Sequence, residues 1–352
     1  MRVLVIGNMG YVGPVAIGEM RSRWPHATLI GLDTGYFAHC LTTAGTFPEL
    51  LLDEQIFADV RRFGAGSLPP CDAVVYLAAL SNDVLGNVNE EVTLDINYRS
   101  ALRVAEIARD AGVRAFVYAS SCSVYGFAED QPRTETSAVN PLTAYARSKV
   151  QAEHDLAPMA SGSFRVTCLR FATACGMSAR LRLDLVLNDF VAAALTSRTI
   201  RILSDGTPWR PLIDVKDMAR AIAWAVERPA DVGGPFVLAN AGADRWNFRV
   251  RELAEIVARE IPGTHIAINT AAAPDRRTYR VDFSRFRQLA PDHQPLGEIE
   301  QSVRELVAGL ESIGFRDADF RQSPYMRIHT LNRLRSEGRL DQNLMWRQSA
   351  TG

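Results

Sequence analysis

The 352-residue chain predicts a doubly wound α/β sheet of parallel strands that carries a smaller second unit. Three observations lead there. Short β-branched runs alternate with segments of helical period through the first half, the pattern of βαβ units. Those runs are apolar throughout, as strands covered on both faces must be. The first of them passes directly into a glycine-rich turn, Gly7-Asn-Met-Gly10-Tyr-Val-Gly13, that opens a helix.

Taken in order, residues 3–6 form the first strand, 12–23 a helix and 28–32 the second strand. The runs 72–79 (Asp-Ala-Val-Val-Tyr-Leu-Ala-Ala) and 115–120 (Ala-Phe-Val-Tyr-Ala-Ser) are two further buried strands. Between them, residues 97–110 set Ala101, Val104, Ala105 and Ala108 on one helical face, with Gly112 as the C-terminal cap. Residues 166–169 and 200–203 read as later strands. From about residue 240 separate helices follow, at 250–260 and 298–312, joined by polar, Pro-containing loops. No internal repeat or low-complexity tract interrupts the chain.

Bulk properties narrow the functional classes. Apolar content of 47% and charged content of 22% are those of an ordinary globular protein. A net charge of −1 offers no electrostatic footprint for nucleic acid or an anionic membrane, so neither is expected as a partner. The apolar start, Met1-Arg-Val-Leu-Val-Ile-Gly7, meets glycine too early for a signal peptide, and no apolar run approaches the ~18 residues of a membrane span. Cys40, Cys71, Cys122, Cys168 and Cys175 are odd in number and lie mostly in apolar strings, which points to reduced core thiols and a cytoplasmic setting. The six histidines lack ligand spacing, so no metal is expected.

The glycine turn has a specific physical use. Glycine permits the tight turn and close backbone approach to a pyrophosphate, and the helix N-terminus supplies free N–H groups and a positive dipole end. Asp33 lies twenty residues beyond Gly13 at the end of Ile30-Gly-Leu-Asp33. A carboxylate there accepts hydrogen bonds from adenosine ribose hydroxyls and repels a 2′-phosphate, and no arginine follows until Arg61. These features predict a Rossmann-type domain that binds NAD rather than NADP.

A second constellation is Tyr145-Ala-Arg-Ser-Lys149. Of 39 basic residues only Lys149 and Lys216 are lysine, so an amine at this spacing from a phenol stands out. Residues i and i+4 share a helix face, and a neighbouring cation lowers a phenol's pKa toward that of a usable general base. Arginine, forked and never deprotonated, is a poor substitute. By itself the pair is an ordinary helix-surface contact, and its meaning comes from its surroundings.

Those surroundings include Ala119-Ser-Ser-Cys-Ser-Val-Tyr-Gly126 at the end of the preceding strand, Asp59-Val60, Leu77-Ala-Ala79 and Asn97. In this order the motifs resemble those of the extended short-chain dehydrogenase/reductases, and within them the NAD-dependent nucleotide-sugar epimerase/dehydratase group. The resemblance is good over roughly residues 1–225 and loose beyond. It implies Ser121, Tyr145 and Lys149 as catalytic residues. It implies Gly7, Gly10, Tyr11, Val12, Gly13, Asp33, Asp59, Val60, Leu77, Ala78, Ala79, Asn97 and Ser120 as cofactor contacts, together with Tyr145 and Lys149. It also implies a homodimer, and a division into an NAD-binding domain (1–172 plus 201–240) and a substrate-binding domain (173–200 plus 241–352).

The segment Leu203-Ser-Asp-Gly-Thr-Pro-Trp-Arg-Pro-Leu-Ile-Asp-Val-Lys-Asp217 resembles the group's diphosphate-binding stretch, which implies Arg210 as a substrate contact. Asn188, and Arg277 in preference to Arg276, are further substrate contacts on the same resemblance. Ser81, Asn82, Ser123 and Thr173 fall near the implied sugar site.

Departures from the group's pattern bear on the reaction. Cys122 and Ser123 stand where related dehydratases carry an Asp-Glu pair, so elimination of water lacks its acid and base. Cys122 is one residue early for a catalytic thiol and reads as structural. Thr173 replaces a common asparagine. The expected activity is therefore an NAD-dependent nucleotide-sugar epimerase, most simply a 4-epimerase acting through a transient keto-sugar. The alternatives are a keto-sugar reductase or dehydrogenase of the same fold, and a non-catalytic NAD-binding protein.

Overall fold

The computed structural model describes residues 1–43, 46–81, 89–128, 131–271 and 278–347. The strands are β1 (Arg2–Ile6), β2 (Thr28–Asp33), β3 (Glu54–Phe57), β4 (Ala73–Tyr76), β5 (Ala115–Ser121), β6 (Arg165–Phe171), β7 (Thr173–Cys175), β8 (Thr199–Ile202), β9 (Trp209–Asp214), β10 (Phe236–Ala241), β11 (Asn247–Arg249) and β12 (His265–Ile268). The helices are α1 (Gly13–Arg23), α2 (Glu90–Leu94), α3 (Ser100–Asp110), α4 (Ala144–Leu156), α5 (Val186–Ser197), α6 (Val215–Glu227), α7 (Val250–Glu260), α8 (Ser284–Leu289), α9 (Ile299–Ser312) and α10 (Arg327–Ser336).

Seven strands form one parallel sheet in the order β10-β6-β5-β4-β1-β2-β3. Alternate residues of a strand point to opposite faces. Accordingly Val3 and Val5 pack in one core with Ala16, Ile17, Met20 and Ile222. Leu4 and Ile6 pack in the other with Tyr76, Val104 and Phe116. The strand order reverses between β1 and β4, and ligands of doubly wound sheets bind at such a switch point beyond the carboxyl ends of the strands.

The turn after β1 works only with glycine at its two ends. Gly7 has φ +88°, and a Cβ there would sit 2.5 Å from the Ala78 nitrogen. At Gly13 a Cβ would stand 2.1 Å from the Asn8 carbonyl oxygen, so only glycine lets α1 pack this close to the turn. Pro14 in the first turn of α1 gives up no needed hydrogen bond.

One expected element is shorter than predicted and another longer, for physical reasons. The strand expected over 72–79 ends at Tyr76, and Leu77, Ala78 and Ala79 leave the sheet to line a cleft. The helix expected over 97–110 lies inside a longer helical run that begins at Glu90, widens at Asp95–Arg99 and continues from Ser100. In the widened turn the Ile96 and Asn97 carbonyls accept hydrogen bonds from the Tyr76 and Tyr118 hydroxyls at 2.6 and 2.7 Å, which draws them from the helical ladder.

The second unit has its own core, where Leu187 and Val191 of α5 meet Leu253 and Val257 of α7 and Val303, Leu306 and Leu310 of α9. Its packing departs from the expected division in two places. The β8 strand pairs with β12 outside the main sheet. The tail beyond Arg327, expected in the smaller domain, instead buries Leu331, Leu334, Leu340 and Leu344 in the core of the main sheet.

A buried ion pair holds the centre together. Arg170 on β6 grips Glu153 on α4 with Nε–Oε1 at 2.9 Å and Nη2–Oε2 at 2.6 Å, and each side chain is only 5% exposed. Ser120 of β5 donates its hydroxyl to the same carboxylate. Arg170 Nη1 also donates to the Tyr125 hydroxyl at 3.0 Å, and that hydroxyl donates to Asn240 of β10 at 2.7 Å. Removing one partner of a buried pair leaves a bare charge, which typically costs about 3–5 kcal/mol. Glu153→Ala is expected to lower unfolding free energy by that order in urea titrations. A loss below about 1 kcal/mol, the worth of an exposed pair, would show that the network carries little.

Candidate active site

Two adjoining cavities lie along the carboxyl edge of the sheet. The first, with about 610 Å³ of empty space, is bounded by Gly7, Gly10, Asp33, Asp59, Val60, Leu77, Ala78 and Ala79, together with Ile6, Leu32 and Phe37. The second, with about 1370 Å³, is bounded by Tyr11, Val12, Ser81, Ser120, Ser121, Ser123, Tyr145, Lys149 and Thr173 among others. They share Gly7, Gly10, Phe37, Leu77, Ala79 and Leu80, so they form one continuous cleft.

At the first end the Asp33 carboxylate accepts the Met9 N–H at 2.9 Å and the Gly35 N–H at 2.8 Å, which aims it along the cavity wall. Burial pushes its carboxyl up, while the two N–H groups and the Arg180 guanidinium draw it down. Asp59 engages Arg61 through Nε at 2.9 Å and Nη2 at 2.6 Å. The first arginine after Asp33 is thus already paired and unavailable to a 2′-phosphate. Gly13 and Asn97 act from behind the wall. Asn97 is fully buried, accepting the Leu80 N–H at 2.9 Å and donating to the Leu80 carbonyl and the Ser148 hydroxyl at 3.2 Å.

At the other end α4 presents Tyr145 and Lys149. Thr143 caps the helix by accepting the Ala146 N–H at 3.2 Å. Lys149 is buried, with Nζ donating to the Ala119 carbonyl at 2.7 Å and lying 5.3 Å from the Tyr145 ring centroid and 4.6 Å from that of Tyr118. Burial drives its ammonium down to about 7, against the opposing pull of the Glu153 carboxylate. Ser121 caps the short turn Cys122–Tyr125, its Oγ accepting the Ser123 N–H at 3.1 Å. The Ser123 hydroxyl has no hydrogen-bond partner among the described residues. Cys122 is turned into the core, donating its thiol to the Arg170 carbonyl, and burial pushes that thiol up.

An apolar slot with a carboxylate at one end, a glycine turn on a helix N-terminus at its middle, and a Tyr–Lys pair at the far end fits a dinucleotide. The substrate-side residues are placed less uniformly. Ser81 accepts Arg182 Nη1 at 2.7 Å, and Thr173 lines the cleft. Asn188 stands behind the wall, accepting the Gly176 N–H at 3.1 Å and donating to the Arg182 carbonyl at 2.8 Å. Arg210 lies on β9 with Nη1 on the Trp209 carbonyl at 2.8 Å and does not line this cleft. Asn82, Arg276 and Arg277 lie outside the described residues.

Sequence reasoning missed two cations of the cleft, Arg182 and Arg327. Arg182 carries one local signal, an Asp two residues on that it grips through Nε and Nη2 at 2.9 and 3.0 Å. Arg327 comes from the final helix, where no motif marks it.

The model of the NAD dependent epimerase/dehydratase family matches residues 3–239. The uncharacterized UDP-glucose epimerase YtcB of Bacillus subtilis (strain 168) is 25% identical over 328 residues, covering 89% of this chain and 99% of that protein. The UDP-glucose 4-epimerase of Mycolicibacterium smegmatis is 28% identical over 333 residues, 90% of this chain and 93% of that protein. Among solved structures, MoeE5 in complex with UDP-glucose and NAD superposes with a TM-score of 0.74 at 22% identity, over 89% of this chain and 99% of its own, and so shares the fold.

The state of Lys149 has a measurable consequence. The folded protein releases this proton near pH 7, whereas the unfolded chain holds it to about 10.4. Across that window the unfolded state binds more protons, so stability of the cofactor-free protein rises with pH from about 7 to about 10. Lys149→Met should remove this rise. Denaturation midpoints across the window compare the two proteins, and parallel profiles would refute the assignment.

Proposed function

Since the chain belongs to the NAD dependent epimerase/dehydratase family, we propose that it is a nucleotide-sugar epimerase, most simply a 4-epimerase that passes through a transient keto-sugar. The observation that carries this reading is the convergence of Ser121, Tyr145 and Lys149 on one cleft with the glycine turn. Relatives named as UDP-glucose epimerases along nearly their whole length support a uridine diphosphate sugar as the substrate class.

NAD, when bound, supplies the reversible hydride acceptor. The chain's own part is proton transfer and placement. The Tyr145 phenol oxygen takes the proton from a sugar hydroxyl and later returns it, so the protein ends the cycle unchanged. Lys149 steadies the phenolate by its charge and by its position beside the ring. Ser121 Oγ holds the sugar oxygen by a hydrogen bond as its charge changes.

Elimination of water needs a second acid–base pair. Among the described residues lining the larger cavity there is no carboxylate, and Cys122 is buried away from it. That favours epimerisation over dehydration. We further take the protein to be a cytoplasmic homodimer, and sedimentation velocity checks the dimer.

Incubation with a panel of nucleotide-sugars should give an inverted sugar with no net rise in reduced-nicotinamide absorbance. Tyr145→Phe should lower kcat about 10²–10⁴-fold while the protein still retains NAD. Stoichiometric consumption of reduced cofactor would instead identify a keto-sugar reductase, and undiminished turnover by Tyr145→Phe would remove the phenol from the mechanism.

A further inference from the structure

We propose that Arg327 is a cofactor-binding residue, supplied by the C-terminal tail as the counter-charge for the pyrophosphate of the bound dinucleotide. The proposal rests on the NAD-binding reading and goes beyond it in assigning a residue outside every motif of the cleft.

The first argument is a charge count. Three arginines gather beside the cleft. Arg180 is held by Glu49 through Nη1 at 2.6 Å and Nη2 at 3.1 Å. Arg182 is held by Asp184 and by Ser81. Arg327 is only 4% exposed, and it pairs with no carboxylate among the described residues. Its Nη2 donates to the Arg180 carbonyl at 2.8 Å, and its guanidinium lies 4.5 Å from the Phe37 ring centroid. Its Nη1 has no hydrogen-bond partner among the described residues. Burial and the charges of Arg180 and Arg182 push its pKa down to about 10, against Asp184 and Cys40. A buried cation with an open donor and no counter-ion is destabilising unless an anion completes it.

The second argument is location. Arg327 lines the larger cavity, and Phe37 beneath it lines both. Arg180 is close enough to Asp33 to draw its carboxyl down. Arg182 feels the Tyr11 and Tyr145 hydroxyls. The arginines therefore span the distance between the adenosine end at Asp33 and the nicotinamide end at Tyr145. A dinucleotide fixed at those two ends must carry its pyrophosphate between them, over the glycine turn. That turn provides backbone N–H groups and no cation of its own. Of the described cations lining the cleft, Lys149 sits at the catalytic end and Arg182 is already paired, which leaves Arg327. A planar donor with a free arm suits phosphate oxygens.

The tail is built to hold that guanidinium in place. Leu331 and Leu334, one and two turns on, are buried in the main core. Farther along, the Leu344 carbonyl accepts the Tyr36 hydroxyl, and Trp346 Nε1 donates to the Thr34 carbonyl at 2.7 Å. The tail thus clasps the loop that follows Asp33.

The test uses the full chain stripped of cofactor, with calorimetric titration of NAD, adenosine and a uridine diphosphate sugar into wild type, Arg327→Met and Arg327→Lys. The methionine variant should bind NAD at least ~10-fold more weakly and adenosine unchanged, with a thermal midpoint no lower than wild type. The lysine variant, which keeps a charge, should recover part of the loss. Equal NAD affinity in wild type and Arg327→Met would overturn the proposal. So would a loss shared by adenosine, which has no pyrophosphate, or one confined to the nucleotide-sugar. A wild type without NAD affinity would overturn the reading beneath it.

Discussion

One face of α4 reads phenol, ammonium, carboxylate: Tyr145, Lys149 and Glu153, each four residues after the last. The third member acts on the second. Glu153 supplies the negative charge that keeps a fully buried ammonium at Lys149 tolerable, and Arg170 pins Glu153 from the neighbouring strand. Ser120, directly opposite Arg170 in the β5–β6 register, closes the same network. The helix that carries Tyr145 and Lys149 is thus tied to the sheet by an ion pair whose own side chains do not line the cleft. A buried pair of this kind is a weak source of net stability, but its loss is costly. Its use here is positional.

The residues that were legible in the sequence are those whose partners are close in the chain. The glycine turn and Asp33 belong to one βαβ unit, and Tyr145 and Lys149 to one helix. In each case the spacing alone encodes a spatial relation that the fold then realises. Asp59 and Val60 reach the adenosine end of the cleft because β3 lies beside β2 in a parallel sheet, a neighbour relation that simple winding makes probable.

What stayed hidden depends on chain segments far apart. Arg327 meets Arg180 across 147 residues, and nothing local in the last helix distinguishes it from its neighbouring arginines. Asn188 shows the converse. Its place in the resemblance suggested substrate contact, whereas the structure spends its amide on Gly176 and Arg182, in the wall of the cleft. The tail was assigned by its position in the chain, yet its leucines follow apolar surface rather than sequence order. Burial decides such cases, and burial is a property of the whole molecule.

The same logic bears on which reaction the cleft can run. Ser121, Cys122 and Ser123 are consecutive, but the end of β5 turns directly into a short helical turn, so the three side chains diverge. Ser121 and Ser123 line the cleft, while Cys122 enters the core beneath it. In this chain the Cys122 thiol is buried rather than presented to a sugar, and a hydroxyl at 123 is too weak an acid to expel water. Among the described residues, the chemistry at this edge is one phenol with a cation beside it and a set of hydroxyls. Such a set moves a single proton out and back, which is the proton requirement of a reversible oxidation at one carbon.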